Sequence, residues 1–267
     1  MTPAAAPAAM PLGRLPVLGL AILIALALIA LFTAVLGGSH AAIILFDYHG
    51  VTPPGYPFVY PFTIQNLMHL FFAAGLGELF LRWQVARREG AFLREGLLPE
   101  DYETVLQSHD LPAVRQRVAG RSDGERGFLP GLIDLCILQF QASRSVDQTV
   151  SVLNSALGLL SDRVDLRYSL LRYIVWVIPT IGFIGTVVGI SLSLAHLDAS
   201  HPDLGRVTAA LGMAFYTTLV ALVESAVLVL FLHLVQAREE QAVNDAGRYV
   251  LTHLINRLYV GGPSAQG

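Results

Sequence analysis

Two stretches of this 267-residue chain place hydroxyls, a carboxyl and glycines at helical spacing within apolar runs. In the first, Gly182, Thr186, Gly189 and Ser193 fall at i, i+4, i+7 and i+11, which is one face of a helix. Gly185 and Gly189 add a GxxxG pair, and small residues at such spacing let backbones approach closely in lipid, where packing drives helix association. Thr186 and Ser193 carry hydroxyls that either relay a proton or bond back to their own helix. The second stretch holds Tyr216, Thr217, Thr218, Glu224, Ser225 and His233. Thr217 and Glu224 are seven residues apart and share a face. Glu224 lies near the middle of an apolar run, where a charged carboxylate costs roughly 2.5 kcal/mol or more and by default signals function. The competing structural role is a protonated acid bonded to a neighbouring helix.

The elements that must hold these residues are membrane spans. Hydrophobic residues make up 54% of the chain and charged residues 14%, against about 25% charged in soluble domains. The apolar residues collect in runs long enough for a hydrocarbon core of about 30 Å, which takes about 20 helical residues. Four spans are expected, at 15–37, 58–83, 168–197 and 207–236. The first exceeds the h-region of a signal peptide and is read as uncleaved, although Arg14 stands at its flank. Tyr56, Tyr60 and Trp83 mark the ends of the second, as interfacial aromatics do. In it, Glu78 precedes Arg82 by four residues, a favourable pairing order. Spans one and two read as a greasy, lipid-facing layer. Pro179, near one end of the third span, removes a helix hydrogen bond and bends the chain.

The segment 84–167 differs in kind. It holds 10 Arg and 12 Asp or Glu, and Pro99, Pro112, Gly120, Gly124, Gly127 and Pro130 divide it into short helices. After Pro130, apolar residues from Leu132 to Val164 recur at near-helical spacing, which predicts one long amphipathic helix running into the third span. The tail 237–267 begins as an amphipathic helix. All 17 basic residues are Arg. They cluster after the second span, before the third and after the fourth; of the two remaining loops, 38–57 and 198–206, only the second holds one, Arg206. The positive-inside rule then puts residues 1–14, the 84–167 domain and the tail in the cytoplasm of a bacterial inner membrane, with both loops outside. The expected fold class is all-α: an integral membrane protein with four transmembrane helices, a helical cytoplasmic domain between helices 2 and 3, and long helices extending into the cytoplasm.

The net charge of −3 argues against a nucleic-acid partner. Lone Cys136 excludes an internal disulfide and reads as a buried small hydrophobe. His40, Asp47 and His49 match no strong metal-ligand spacing, so no metal or cofactor is expected. An intramembrane enzyme is disfavoured, since no HExxH, GxSxG or paired Asp motif occurs.

The run Ile178-Pro179-Thr180-Ile181-Gly182-Phe183-Ile184-Gly185-Thr186-Val187-Val188-Gly189-Ile190, followed by Ala214-Phe215-Tyr216-Thr217-Thr218-Leu219-Val220-Ala221-Leu222, resembles the signature of the MotA/TolQ/ExbB proton channel family. The resemblance covers about residues 170–240, and four spans resemble MotA more than three-span ExbB. It implies a pentamer around two copies of a single-transmembrane-helix partner of the ExbD/TolR/MotB type, with a membrane Asp that takes up and releases protons. It implies Thr186 as the first pore threonine and Thr217 or Thr218 as the second; alignment favours Thr218 and the face shared with Glu224 favours Thr217. Met213 and Tyr216 stand where ExbB-type members carry an acidic residue, and Glu224 lies beyond the threonine instead. Nothing in 84–167 matches the rotor-engaging charges of MotA. The expectation is a proton-conducting energiser subunit with Thr186, Thr217, Thr218, Glu224 and Ser193 along the pathway and Pro179, Gly182, Gly185 and Gly189 in helix packing. The rival is a non-conducting scaffold anchored through its cytoplasmic helix.

Overall fold

A computed structural model of the chain describes residues 13–48, 58–101, 105–119, 127–197 and 203–259. Their secondary structure is α1 (Arg14–Leu36), α2 (His40–Phe46), α3 (Ile64–Arg94), α4 (Leu111–Ala119), α5 (Phe128–Ser143), α6 (Val146–Arg167), α7 (Ser169–Ala195) and α8 (Leu204–His253), with a 3-10 turn at Ile255–Arg257. Among the described residues there is no strand, only an isolated parallel bridge between Leu106 and Leu258. Four helical runs are long and apolar enough to cross a membrane: α1, α3, the run of α6 with α7, and α8. His49, the prolines at 53, 54 and 57, Gly120, Gly124, the loop residues 198–202 and the closing glycines 261–262 lie outside the described residues.

The chain forms two units. The first comprises residues 1–81 and 169–234, and the second residues 82–168 and 235–267. In the first, α1 is apolar on every side and leaves Leu20, Leu23, Leu31 and Val35 exposed. It meets α3 closely at one point, where Gly77 would push an added Cβ to 2.9 Å from Ala21 Cβ. Gly75, on another face of α3, would push a Cβ to 2.9 Å from Leu228 and 3.4 Å from Ile174. Its glycines therefore seat α3 between α1 on one side and α7 and α8 on the other. The greasy second span is thus packed on two sides while Leu67 and Phe80 stay exposed, and its polar residues Gln65, Asn66 and Glu78 are buried. Glu78 accepts from Arg14 Nε of α1 at 3.0 Å.

In the second unit the predicted long helix after Pro130 is split in two. Arg144 takes a left-handed conformation at φ 53° and ends α5. Ser145 then caps α6, its hydroxyl accepting from Gln148 N at 3.3 Å. Ser143 adds to the break by bonding back to Gln139 O at 2.9 Å. From Val146 on, the helical run continues to Ala195 with Tyr168 alone between α6 and α7. The interruption lies there rather than at Pro179, which sits inside α7. The fourth apolar run and the amphipathic tail form one 50-residue helix, α8, longer than the roughly 20 residues a bilayer requires. The core of this unit includes Leu111, Val114, Leu129, Ile133, Cys136, Ile137 and Phe140 together with Val250, Leu254 and Ile255. Arg257 fastens the 97–101 segment, donating to Pro99 O at 2.8 Å and Asp101 O at 2.5 Å.

Candidate functional site

The α7–α8 contact is made of small residues, as packing in lipid requires. A Cβ at Gly189 would lie 2.7 Å from Ala214 Cβ and 2.9 Å from Ala210 O, and one at Gly185 would lie 2.6 Å from Thr217 Oγ1. At Gly182 it would run into Ala221 Cβ. These three glycines bring the backbones close enough for hydroxyls to bond across the gap. Ser193 Oγ donates to Val207 O at 3.1 Å. Thr186 Oγ1 reaches Ala214 O at 3.1 Å and is hydrogen-bonded to Thr218 Oγ1. Thr218 Oγ1 also reaches Gly182 O at 3.2 Å.

The two adjacent threonines therefore differ. Thr217 is 1% exposed and packs against Gly185, its hydroxyl donating to Ala214 O at 2.9 Å. Thr218 and Thr186 are half-buried and joined to each other. Both oxygens sit among backbone carbonyls, so the pair forms a two-hydroxyl bridge between helices with donor and acceptor capacity at each end.

Pro179 has a counterpart on α8. A proline in a helix leaves the carbonyl four residues earlier without its amide donor. That carbonyl belongs to Val175, and Ser225 Oγ donates to it at 3.2 Å. Pro179 and Ser225 thus form one unit of packing across the two helices.

Glu224 does not join the threonines. Its side chain points to α3, where Oε1 is hydrogen-bonded to His69 Nδ1. The other ring nitrogen, Nε2, faces Leu45 O at 2.9 Å, so a residue of α2 fixes the imidazole. Phe46 meets the same ring edge-on at a centroid distance of 5.3 Å. Glu224 is 7% exposed, and its Oε2 has no partner. His69 carries a sequence signal of its own, a histidine among the apolar residues of α3. Ser225 was noticed without a role; the signal for it was the open carbonyl that Pro179 must leave behind. His233 is exposed on α8.

In the second unit, buried Glu89 receives the first amides of α5, from Phe128 N at 2.9 Å and Leu129 N at 3.5 Å. It does for that helix what an N-cap side chain would, since Gly127 at the cap position has none. Burial pushes its carboxyl up to about 7, against the pull of those amides and of Arg88. Buried Glu239 accepts from Tyr168 Oη at 2.8 Å and from Arg167 Nη1 at 3.4 Å. Burial raises the Glu239 carboxyl as well, opposed by Tyr168, Arg82 and Arg167. Among the described residues no group of three or more His, Cys, Asp or Glu is arranged to hold a metal ion.

Comparison with curated proteins and with solved structures finds no match. A family model, that of the MotA/TolQ/ExbB proton channel family, matches residues 128–247. The matched stretch runs from α5 to the later part of α8 and includes Pro179, the glycines, Thr186, Thr217, Thr218 and Glu224; α1 to α4 precede it. The members of this family are channel and energiser proteins rather than classical enzymes. Residues 128–247 of this four-helix membrane chain, a little under half of its length, thus match the model of the MotA/TolQ/ExbB proton channel family.

Proposed function

We propose that the chain is the pentameric channel subunit of an inner-membrane energiser, coupling the proton motive force to mechanical work through a single-span partner with a membrane Asp. The observation that carries this reading is the hydroxyl bridge between Thr186 on α7 and Thr218 on α8, inside the segment that the family model matches. Five copies would set these helices around the partner, and the bridge would pass protons between the partner's carboxyl and water. Thr218 is the second pathway residue in this reading. Thr217, packed against Gly185, and Ser193, bonded to Val207 O, hold the helices at their spacing. Large apolar side chains left open on α7, among them Phe183, Ile184, Val187 and Leu194, suit contact with lipid and with neighbouring copies. Both termini and the second unit lie in the cytoplasm, following the arginine distribution, and α8 and the α6–α7 run carry the helices there from the membrane.

One observation favours the scaffold reading: the hydroxyls of Thr186, Thr217 and Thr218 all reach backbone carbonyls, as packing alone would arrange. Proton uptake into liposomes separates the two. Reconstituted with its single-span partner, the chain is expected to conduct, and replacing the partner's membrane Asp by Asn is expected to abolish the flux. A complex that assembles and never conducts would leave the scaffold.

A further inference from the structure

Among the described residues, six buried side-chain atoms in the first unit have no hydrogen-bond partner: both carboxylate oxygens of Asp47, both amide atoms of Gln65, Asn66 Oδ1 and Glu224 Oε2. Their residues are between 0% and 7% exposed. They are neighbours by structure. Asp47 ends α2 directly after Phe46, whose carbonyl accepts from Thr63 Oγ1 at 3.1 Å, and Thr63 Oγ1 in turn accepts from Asn66 N at 3.1 Å. Gln65 stands one turn before His69 on α3. His69 joins Leu45 of α2 to Glu224 of α8.

An unmet buried polar group costs about 1–3 kcal/mol, so several together call for a ligand. These atoms have almost no exposed surface within the chain, and His69 and Glu224 also border an apolar cavity lined by α1 and α3. Water is small enough, and buried water typically makes about three hydrogen bonds to such groups.

We propose that these groups form a hydrated proton-exchange site, with the His69–Glu224 pair as its acid–base centre and water held among Asp47, Gln65 and Asn66 linking that pair to the end of α2. Imidazole Nε2 keeps its proton on Leu45 O, which confines exchange to Nδ1. The Nδ1–H bond breaks as a Glu224 Oε1–H bond forms, and imidazolium with carboxylate becomes imidazole with carboxylic acid, the total charge unchanged. A water-borne proton then adds at Glu224 Oε2 as the Oε1 proton returns to Nδ1, or the acid loses its own proton to water. Other charged and titratable groups stand apart from the pair. Asp47 is the nearest from α2, and burial pushes it up to about 7. Glu78 lies further along α3, held by Arg14 of α1. On α7, Arg172 and Tyr173 in the turn before Val175 are exposed, and on α8 Tyr216 and His233 are each at least two turns from Glu224. The site uses α3, outside the matched segment, and does not depend on conduction through Thr186 and Thr218.

Infrared pH-difference spectra of the full chain in lipid nanodiscs test this directly. Expected is a carbonyl band of a protonated carboxylic acid that shifts in D2O and vanishes in Glu224→Gln. In His69→Gln the band should change frequency, because Oε1 loses its Nδ1 partner. With both members of the pair intact, Gln65→Leu should slow D2O exchange of the band by removing polar contacts for water. A spectrum in which no band depends on Glu224, a band frequency unchanged in His69→Gln, or exchange unaffected by Gln65→Leu would overturn the proposal. None of these readouts uses proton flux, so the outcome is independent of the channel reading.

Discussion

Ser225 supplies the donor that Pro179 cannot, and that makes a serine in the fourth apolar run a packing residue. Its replacement by Ala would leave Val175 O open in the protein interior, at about 1–2 kcal/mol. Thermal unfolding of Ser225→Ala in detergent should show that loss while the helix content of the folded protein stays the same. Gly185 makes a sharper case. An added methyl would lie 2.6 Å from Thr217 Oγ1, and overpacking of this kind costs about 1–3 kcal/mol. The clash is with a side chain, so Thr217→Ala should restore much of the stability lost in Gly185→Ala. Simple addition of the two losses in the double mutant would contradict this contact. At this scale the glycine face and the threonines were legible in the sequence, because helical spacing alone puts them together. The choice between Thr217 and Thr218 was not, since it turns on which hydroxyl packs against Gly185 and which reaches Thr186. Glu224 was legible as unusual, but its partner lies 155 residues away on α3, and no periodicity links them.

The helices of the second unit depend on their ends. Ser145 opens α6 with a hydroxyl cap, and Ser145→Ala should lower stability by about 1 kcal/mol. Its Ser-x-x-Gln pattern with Gln148 is a helix-start signal that outweighs the apolar spacing on either side. That is why one long predicted helix is two. The start of α5 rests on Glu89, whose carboxyl is pushed up to about 7 from an ordinary 4.5. The folded unit thus holds a proton that the unfolded chain gives up between those values. Its stabilising effect is complete below pH 4.5 and is lost as pH rises through 7. The size is on the order of 3 kcal/mol. Hydrogen exchange at the amides of Phe128 and Leu129 should be slower at pH 5 than at pH 8 after correction for the intrinsic rate. Glu89→Gln, which keeps an acceptor but no titration, should flatten that difference.

For the whole molecule, composition alone implied a four-helix membrane chain, because apolar runs of this length have few other uses. The packing of α3 was hidden because hydropathy counts apolar residues without saying what they touch. Its glycines at 75 and 77 bury it among the other helices, and its polar groups end up inside. The match to the family model starts at residue 128, so α1 to α4 lie outside the matched part, which carries the threonines. The central claim is that Thr186 and Thr218 carry protons together. Proton uptake by liposomes containing the assembled complex, under an imposed gradient, measures it. Thr186→Val and Thr218→Val, which keep side-chain volume and remove a hydroxyl, should each cut flux about tenfold or more, the effect of about 1.4 kcal/mol on a barrier. The double variant should lose little beyond either single one. Full flux in the assembled double variant would contradict the account.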